Sequence, residues 1–369
     1  MSSRTAARLA QLPWWLRNSL KFKRPPGDAP SRILVCHHLL LGDTLMLAPL
    51  IAALRARFPQ AHIAMTVDPA MATLFSHRPL GLHALPFDPR APDSVRTLLR
   101  QQGWDLALIP GDNRYSWLAL AMGARWIRAF SGDRPAYKSW PVSEALSYPN
   151  TPEAWPDMNL RLIGGSLPAV KWQPGLWIPE AHKPDAAPEG PYAVLHLGAS
   201  SPTKFWPAEN WRALANTLAD RGLNVVLTTG PGEGALANSV DPDRRHAQIT
   251  GTLKLSEMAR LLAHARLVVS PDTGILHLAR LSGTPTVGLF GPGSAPLYTD
   301  SRYFDPVPFR ALQKPIACRN QSTLFKRNLP WVQRCSRPLD ACPPQRCMAL
   351  ISVADVLAAI EELVDHDRK

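Results

Sequence analysis

Short apolar runs and amphipathic stretches alternate along most of the chain. RILVCHH (32–38) reads as a buried strand, TLMLAPLIAALRARF (44–58) has apolar residues at helical spacing, and HIAMTV (62–67) is a second strand. DLALIP (105–110) and ARWIRAF (124–130) continue the series. Residues 131–190 break the rhythm with Pro, Trp and Gly, apart from a helix expected around 153–163. The alternation then resumes with YAVLHLG (192–198), WPAENWRALANTLADRG (206–222) and NVVLTTG (224–230). It runs on through LSEMARLLAHA (255–265), RLVVS (266–270), GILHLARLSG (274–283) and TPTVGLFG (284–291), and VADVLAAIEELV (353–364) closes the chain as a helix.

Strands alternating with helices predict α/β architecture with mostly parallel sheets. A length of 369 residues exceeds what one core usually serves, so two domains are expected. The expected division is a basic segment 1–30, a first Rossmann-like domain 31–180, a second one 181–350 and a C-terminal helix 351–369. Two such doubly wound domains facing across a cleft would bind ligands outside the C-terminal ends of their strands.

Charge narrows the class of ligand. Lys and Arg outnumber Asp and Glu by 41 to 29, a net +12, which favours an anionic partner. No apolar run reaches 18 residues, and Pro13 and Arg17 interrupt any signal-peptide core, so the expectation is a protein made and kept in the cytosol. The first 30 residues place Leu9, Leu12, Trp14, Trp15, Leu16 and Leu20 among Arg8, Arg17, Lys21, Lys23 and Arg24. That mixture suits an interfacial helix on an anionic membrane, and equally a helix packed on its own domain.

The candidate chemistry gathers at strand ends. In VVSPDTGILHLARLSGTPTVGLFGP (268–292), an apolar strand gives way to Asp272, Thr273 and Gly274 and then to a helix carrying His277. Asp272 suits a helix N-cap, Gly274 permits close backbone approach, and free amides at a helix start suit a phosphate. Thr273 and His277 are four apart and share a face. GASSPTKFWP (198–207) offers Ser200, Ser201 and Lys204 at another strand–helix junction, two hydroxyls and a cation fit for a pyrophosphate. TTGPGE (228–233) ends a third strand with Glu233, placed to accept hydrogen bonds from a ribose. In the first domain, LLLGD (39–43) puts Gly42 and Asp43 between a strand and its helix, and Asp43 is a candidate general base.

Each feature alone has a plain structural explanation. Asp272 and Asp43 could simply cap helices, Lys204 could be a solvated surface lysine, and Glu233 could answer a helix dipole. Three strand ends carrying hydroxyl, cation and carboxylate together are hard to explain as packing.

The motifs GD…LRARFP, GAS…K.WP, TTGPGE, SPDTGILHLA…GTPTVGLFGP and CMALI span about residues 32–360. In that order and spacing they resemble glycosyltransferase family 9, the ADP-heptose:lipopolysaccharide heptosyltransferases. The resemblance implies a GT-B fold and inverting transfer. It assigns Asp43 as the base that deprotonates the acceptor, Lys204 with Ser200 and Ser201 to donor phosphate, and Glu233 to donor ribose. Asp272, Thr273, Gly274 and His277 would hold pyrophosphate and sugar. The family often carries Lys or Arg six residues before the base, where this chain has His37. His37 and Gly42 are therefore the acceptor-side candidates, and the family's acceptor-side cation is not carried over.

Cys318, Cys335, Cys342 and Cys347 are spaced C-x16-C-x6-C-x4-C within a tail at 318–348. Four thiolates could hold structural Zn or Fe, although the C-x2-C knuckle is missing. Some relatives that heptosylate autotransporter proteins have a metal-binding finger there. Cys36, within the first strand run, belongs to the core. The leading expectation is a cytoplasmic enzyme at the inner-membrane face, needing no cofactor, that transfers heptose from ADP-heptose to a lipid-linked lipopolysaccharide core. A protein acceptor, or nucleotide-sugar binding without activity, are the alternatives. No nucleic-acid-binding motif is present.

Overall fold

The computed structural model describes residues 3–20, 25–27, 29–178, 183–342 and 345–366, with the side chains of 3, 4, 8 and 364–366 left aside. Its contacts divide the chain into two units. The first runs to Val170 and includes Thr323–Pro330, and the second comprises Lys171–Ser322 with the remainder from Trp331. The sequence boundary at 180/181 thus lies at 170/171, and a short piece of the later chain belongs to the first unit.

The first unit opens with two helices, α1 (Ser3–Leu9) and α2 (Leu12–Ser19). Its strands are β1 (Arg32–Val35), β2 (His62–Val67), β3 (His83–Pro86), β4 (Trp104–Ile109), β5 (Ala124–Phe130) and β6 (Glu144–Leu146). Its further helices are α3 (Leu41–Leu45), α4 (Ala48–Arg57), α5 (Pro92–Leu99), α6 (Tyr115–Ala121) and α7 (Trp155–Leu160). All six strands are parallel in the order β3-β2-β1-β4-β5-β6. The order reverses at β1 and β4, the switch point where open α/β sheets bind ligands. The core fills one side of the sheet with Leu34, Cys36, Ala107, Ile109, Leu118 and Ile127, so Cys36 lies where the sequence places it.

The second unit repeats the plan. Its strands are β7 (Tyr192–His196), β8 (Asn224–Thr229), β9 (Ala247–Thr250), β10 (Leu267–Pro271), β11 (Thr286–Leu289) and β12 (Phe309–Leu312), in the parallel order β12-β11-β10-β7-β8-β9. The helices are α8 (Ala208–Asp220), α9 (Gly234–Val240), α10 (Leu255–Ala263), α11 (Gly274–Leu281), α12 (Arg346–Ala349) and α13 (Val353–His366). Here the switch point falls between β7 and β10. Strands β7 and β10 are buried along their whole length, as a sheet covered on both faces requires.

Three details depart from the sequence reading. The stretch 44–58 is not one helix: α3 stops at Leu45 and α4 restarts at Ala48, because Pro49 lacks the amide a continuous helix would need. The helix expected at 153–163 is α7 followed by a 3-10 turn, Arg161–Ile163. The edge strands β3, β6, β9 and β12 were not legible, because they are mostly half-exposed and lack the continuous apolar run of the central strands.

Helix α2 faces two ways. Trp15 Nε1 donates to Trp117 O at 2.8 Å, and Asn18 Nδ2 donates to Leu120 O and Ala121 O at 3.0 and 3.1 Å, fixing one face on α6. The opposite face leaves Leu12, Leu16 and Leu20 exposed at 45%, 64% and 86%. A hairpin, β13 (Thr323–Leu324) and β14 (Arg327–Asn328), completes the first unit. Its two-residue turn holds Phe325 and Lys326 at φ 45° and 66°, the left-handed geometry a tight hairpin needs.

Candidate functional site

At the second sheet's switch point, α11 starts from Thr273, whose side chain makes no capping hydrogen bond. Asp272 is not the cap the sequence suggests. Its carboxylate turns instead to Lys204, whose Nζ lies 2.6 Å from Asp272 O and 3.0 Å from Oδ2, and His277 Nε2 stands 3.8 Å from Oδ1. Burial pushes the Asp272 carboxyl up, but the Lys204 charge and the His277 ring outweigh it and hold the group well below the usual carboxylate range. Gly293 is obligatory beside this carboxylate, because a Cβ there would lie 2.5 Å from Oδ2. Thr273 Oγ1 lies 3.3 Å from Ser270 Oγ, and the His277 ring meets Tyr298 edge to face at 5.5 Å.

Lys204 ends a 3-10 turn, Pro202–Lys204, whose first residues are held by Ser201 Oγ, 3.4 Å from Thr203 N and 2.8 Å from Thr203 Oγ1. Ser200 is exposed. Glu233, at the start of α9, accepts from Gly230 N at 2.8 Å and from Ala199 N at 3.4 Å. It thereby ties the loop after β8 to the loop after β7. A Cβ on Gly198 would collide with that carboxylate, which explains the glycine. The second edge thus gathers Lys204, Asp272, Thr273 and His277 around an uncapped helix start, which a phosphate can engage through amides and cation.

The first sheet's edge is assembled differently. Asp43 is half-buried in the first turn of α3, whose N-cap is Leu40 with no side-chain bond, so Asp43 does not cap the helix. Its charge reaches Tyr148, whose hydroxyl burial already pushes up to about 12. Gly42 is buried beside it. His37 is 1% exposed, and burial and then the neighbouring His38 push its pKa down to about 3. Its Nδ1 accepts from Leu39 N at 3.2 Å, which assigns the proton to Nε2, and that atom has no partner among the described residues. His37 is therefore neutral and inward, and supplies no cation to an acceptor.

Sequence reasoning missed the network around Arg327, which is 4% exposed. The guanidinium donates to Ser131 O at 2.8 Å, Asn113 Oδ1 at 2.8 Å, and Gly111 O and Phe130 O at 3.1 Å each. Asp133 stands 3.7 Å away and pairs with Lys138 at 3.0 Å. No local pattern signals this set, because Arg327 reaches it from almost two hundred positions later in the chain.

Cys318, Cys335 and Cys347 are free thiols, and Cys342 lies in the same tail. Cys347 is buried, and burial pushes its thiol up; the Arg319 guanidinium opposes that shift, and the thiols of Cys342, Cys318 and Cys335 add to it. Arg319 binds Gly291 O at 2.6 Å, and Cys335 N donates to Pro292 O at 2.9 Å, so the segment folds onto the loop after β11. Among the described residues no three His, Cys, Asp or Glu side chains are placed to hold a metal ion, and the expected Zn or Fe centre does not fit this arrangement.

Residues 94–316 match the sequence model of glycosyltransferase family 9 (heptosyltransferase). Lipopolysaccharide heptosyltransferase 1 of Pseudomonas aeruginosa is 40% identical over 109 residues, 29% of this chain and 31% of that one, so the match spans about a third of that relative. Lipopolysaccharide heptosyltransferase 2 of Escherichia coli is 26% identical over 296 residues, 71% of this chain and 83% of the relative. Among solved structures, the family 9 glycosyl transferase of Veillonella parvula superposes with a TM-score of 0.72 at 18% identity, covering 91% of this chain and 98% of its own. The E. coli heptosyltransferase WaaC with ADP gives 0.67 at 19% identity, covering 90% and 99%. Likenesses at this identity show the fold, the GT-B type expected from the motifs. With the family model covering well over half of its length, this chain belongs to glycosyltransferase family 9.

Proposed function

We propose that the protein transfers heptose from ADP-heptose to the core of a lipid-linked lipopolysaccharide, at the cytoplasmic face of the inner membrane. The observation that carries this reading is the Lys204–Asp272–His277 cluster at the uncapped start of α11, a site suited to a diphosphate. Its ADP-bearing relative WaaC supports the nucleotide class.

In this mechanism Asp43 takes the proton of an acceptor hydroxyl, which attacks the anomeric carbon and inverts it. The departing diphosphate gains negative charge as the bond breaks. Lys204, the amides near Thr273 and Gly274, and His277 offset that charge from fixed positions. Ser200 and Ser201 add hydroxyls to the phosphates, and Glu233 holds the two loops on the ribose side. No step is routed through a metal. The exposed leucines of α2 and the +12 charge support peripheral contact with an anionic membrane.

The test is ADP release from ADP-heptose and heptose-deficient lipopolysaccharide, beside an Asp43→Asn variant. Turnover in the variant should fall by about 10²–10⁴-fold while ADP-heptose binding is retained. Binding without turnover on any lipopolysaccharide would point to another acceptor or to a non-catalytic role. Failure to bind ADP-heptose would sink the reading.

A further inference from the structure

Residues 290–293, the loop after β11, run between the Asp272 carboxylate and the chain from Gln313 onward. The loop has no slack on either side. A Cβ at Gly293 would lie 2.5 Å from Asp272 Oδ2, and one at Gly291 would strike Met348 and come within 3.1 Å of Cys347 Sγ. A close-packed layer this thin passes any shift of the tail on to the carboxylate that pairs with Lys204 and faces His277.

All four carbonyls of the loop are bound from the tail side. Arg319 Nη2 reaches Phe290 O at 3.5 Å, and its Nε donates to Gly291 O at 2.6 Å. Cys335 N donates to Pro292 O at 2.9 Å, and Gln313 Nε2 donates to Gly293 O at 2.7 Å. Oxygens committed to these donors are not turned toward an anionic diphosphate, which they would repel.

Arg319 stands at the centre of this hold, 8% exposed. Its Nη1 makes a further bond to Lys314 O at 2.8 Å, and Lys314 in turn pairs with Asp355 of α13 at 2.6 Å. A guanidinium can bridge several carbonyls because its donors fan out in one plane, whereas an ammonium is a point charge. The Cys347, Cys318 and Cys335 side chains lie within its electrostatic reach. A divalent ion drawn to the same thiols would sit beside a buried charge that cannot be discharged.

We infer that Arg319 is a positioning residue for the donor site. Its guanidinium, rather than a metal ion among the cysteines, fixes the loop at 290–293 and through it the Lys204–Asp272–His277 cluster. The inference rests on the donor reading proposed above.

The experiment measures ADP binding to the full-length protein by calorimetry, metal content by elemental analysis, and hydrogen exchange in the peptide 286–297. Wild type is set beside Arg319→Lys, Arg319→Ala and Cys318→Ser. Wild type should bind ADP without a stoichiometric metal, and equally well after chelation. Arg319→Ala should lose about three- to thirtyfold in ADP affinity, and Arg319→Lys less, since it keeps the charge but not the bridging. Exchange in 286–297 should rise in the same order. Cys318→Ser should match wild type, which a metal ligand would not do. An arginine that only stabilises the fold would give a lower urea midpoint with wild-type ADP affinity in both Arg319 variants, and that result would overturn the inference. So would one Zn or Fe per chain whose removal weakens ADP binding, or a loss in Cys318→Ser equal to that in Arg319→Ala. Should Arg319→Ala not fold, Arg319→Lys decides alone, and wild-type affinity there overturns the inference. Wild type that binds no ADP would fault the donor reading itself, and exchange in 286–297 would then tell whether Arg319 holds the loop.

Discussion

The C-terminal edges of the two sheets share a topology but are held together differently. In the second unit each charged group is bound by a nearby loop: Lys204 by Asp272, Glu233 by the amides of Gly230 and Ala199. The groups come from loops of one sheet, with β7 and β10 adjacent at its switch point. In the first unit the edge depends on a hairpin that returns from residues 323–330, with Arg327 binding backbone and side chain from 111 to 133. One edge can be written as local motifs, whereas the other is assembled from wherever the chain can reach.

The sharpest way to break this contrast is Arg327→Ala. It should destabilise the first unit by about 3–5 kcal/mol, the cost of removing one partner from a buried charged network. Hydrogen exchange should rise in peptides covering 111–155 and stay unchanged in those covering 192–290. Equal loosening of both regions would refute the division of labour.

Buried histidines sharpen the contrast through pH. His37 in the first unit and His196 in the second are pushed down to about 3 and about 4, chiefly by burial. Below pH 6.5 the unfolded chain binds protons that these folded imidazoles refuse, so stability falls as pH drops through that window. The expected slope is about 1.4 kcal/mol per pH unit for each histidine, ending near the folded pKa values. Urea midpoints between pH 7 and 4 check this, and a His37→Asn variant should lose about half of the slope.

Glu233→Gln tests the second edge at lower cost. Gln keeps one oxygen, enough for the closer Gly230 amide, while the Ala199 amide loses its acceptor, so stability should fall by about 1 kcal/mol. ADP affinity, read by calorimetry, should drop several-fold as the loops after β7 and β8 lose their charged tie. The smallest effect on folding should come from Leu16→Ser, within about 0.5 kcal/mol, because the side chain is exposed. Sedimentation with anionic vesicles should nevertheless show weaker binding.

The same contrast governs what could be read from sequence. Alternation of buried runs such as VVLTT and RLVVS with amphipathic helices made both sheets legible, since strands covered on two faces are continuously apolar. Lys204, Asp272 and His277 were found because their loops are contiguous and rich in Gly and Pro. The partnership of Lys204 with Asp272 was not, since it spans 68 positions and depends on β10 lying beside β7. Arg327 carries no local signature at all. An ordinary surface residue by pattern, it acquires meaning only from what the fold brings beside it.

The returning hairpin also sets a schedule. Arg327 leaves the ribosome 157 residues after Val170, which at about 5–20 residues per second is a delay of roughly 8–30 s. Throughout that interval the carbonyls of Gly111, Phe130 and Ser131 wait for the cation that will bind them. The half of the protein begun first thus waits for a piece made near the end, and its edge matures only once most of the second unit has been synthesised.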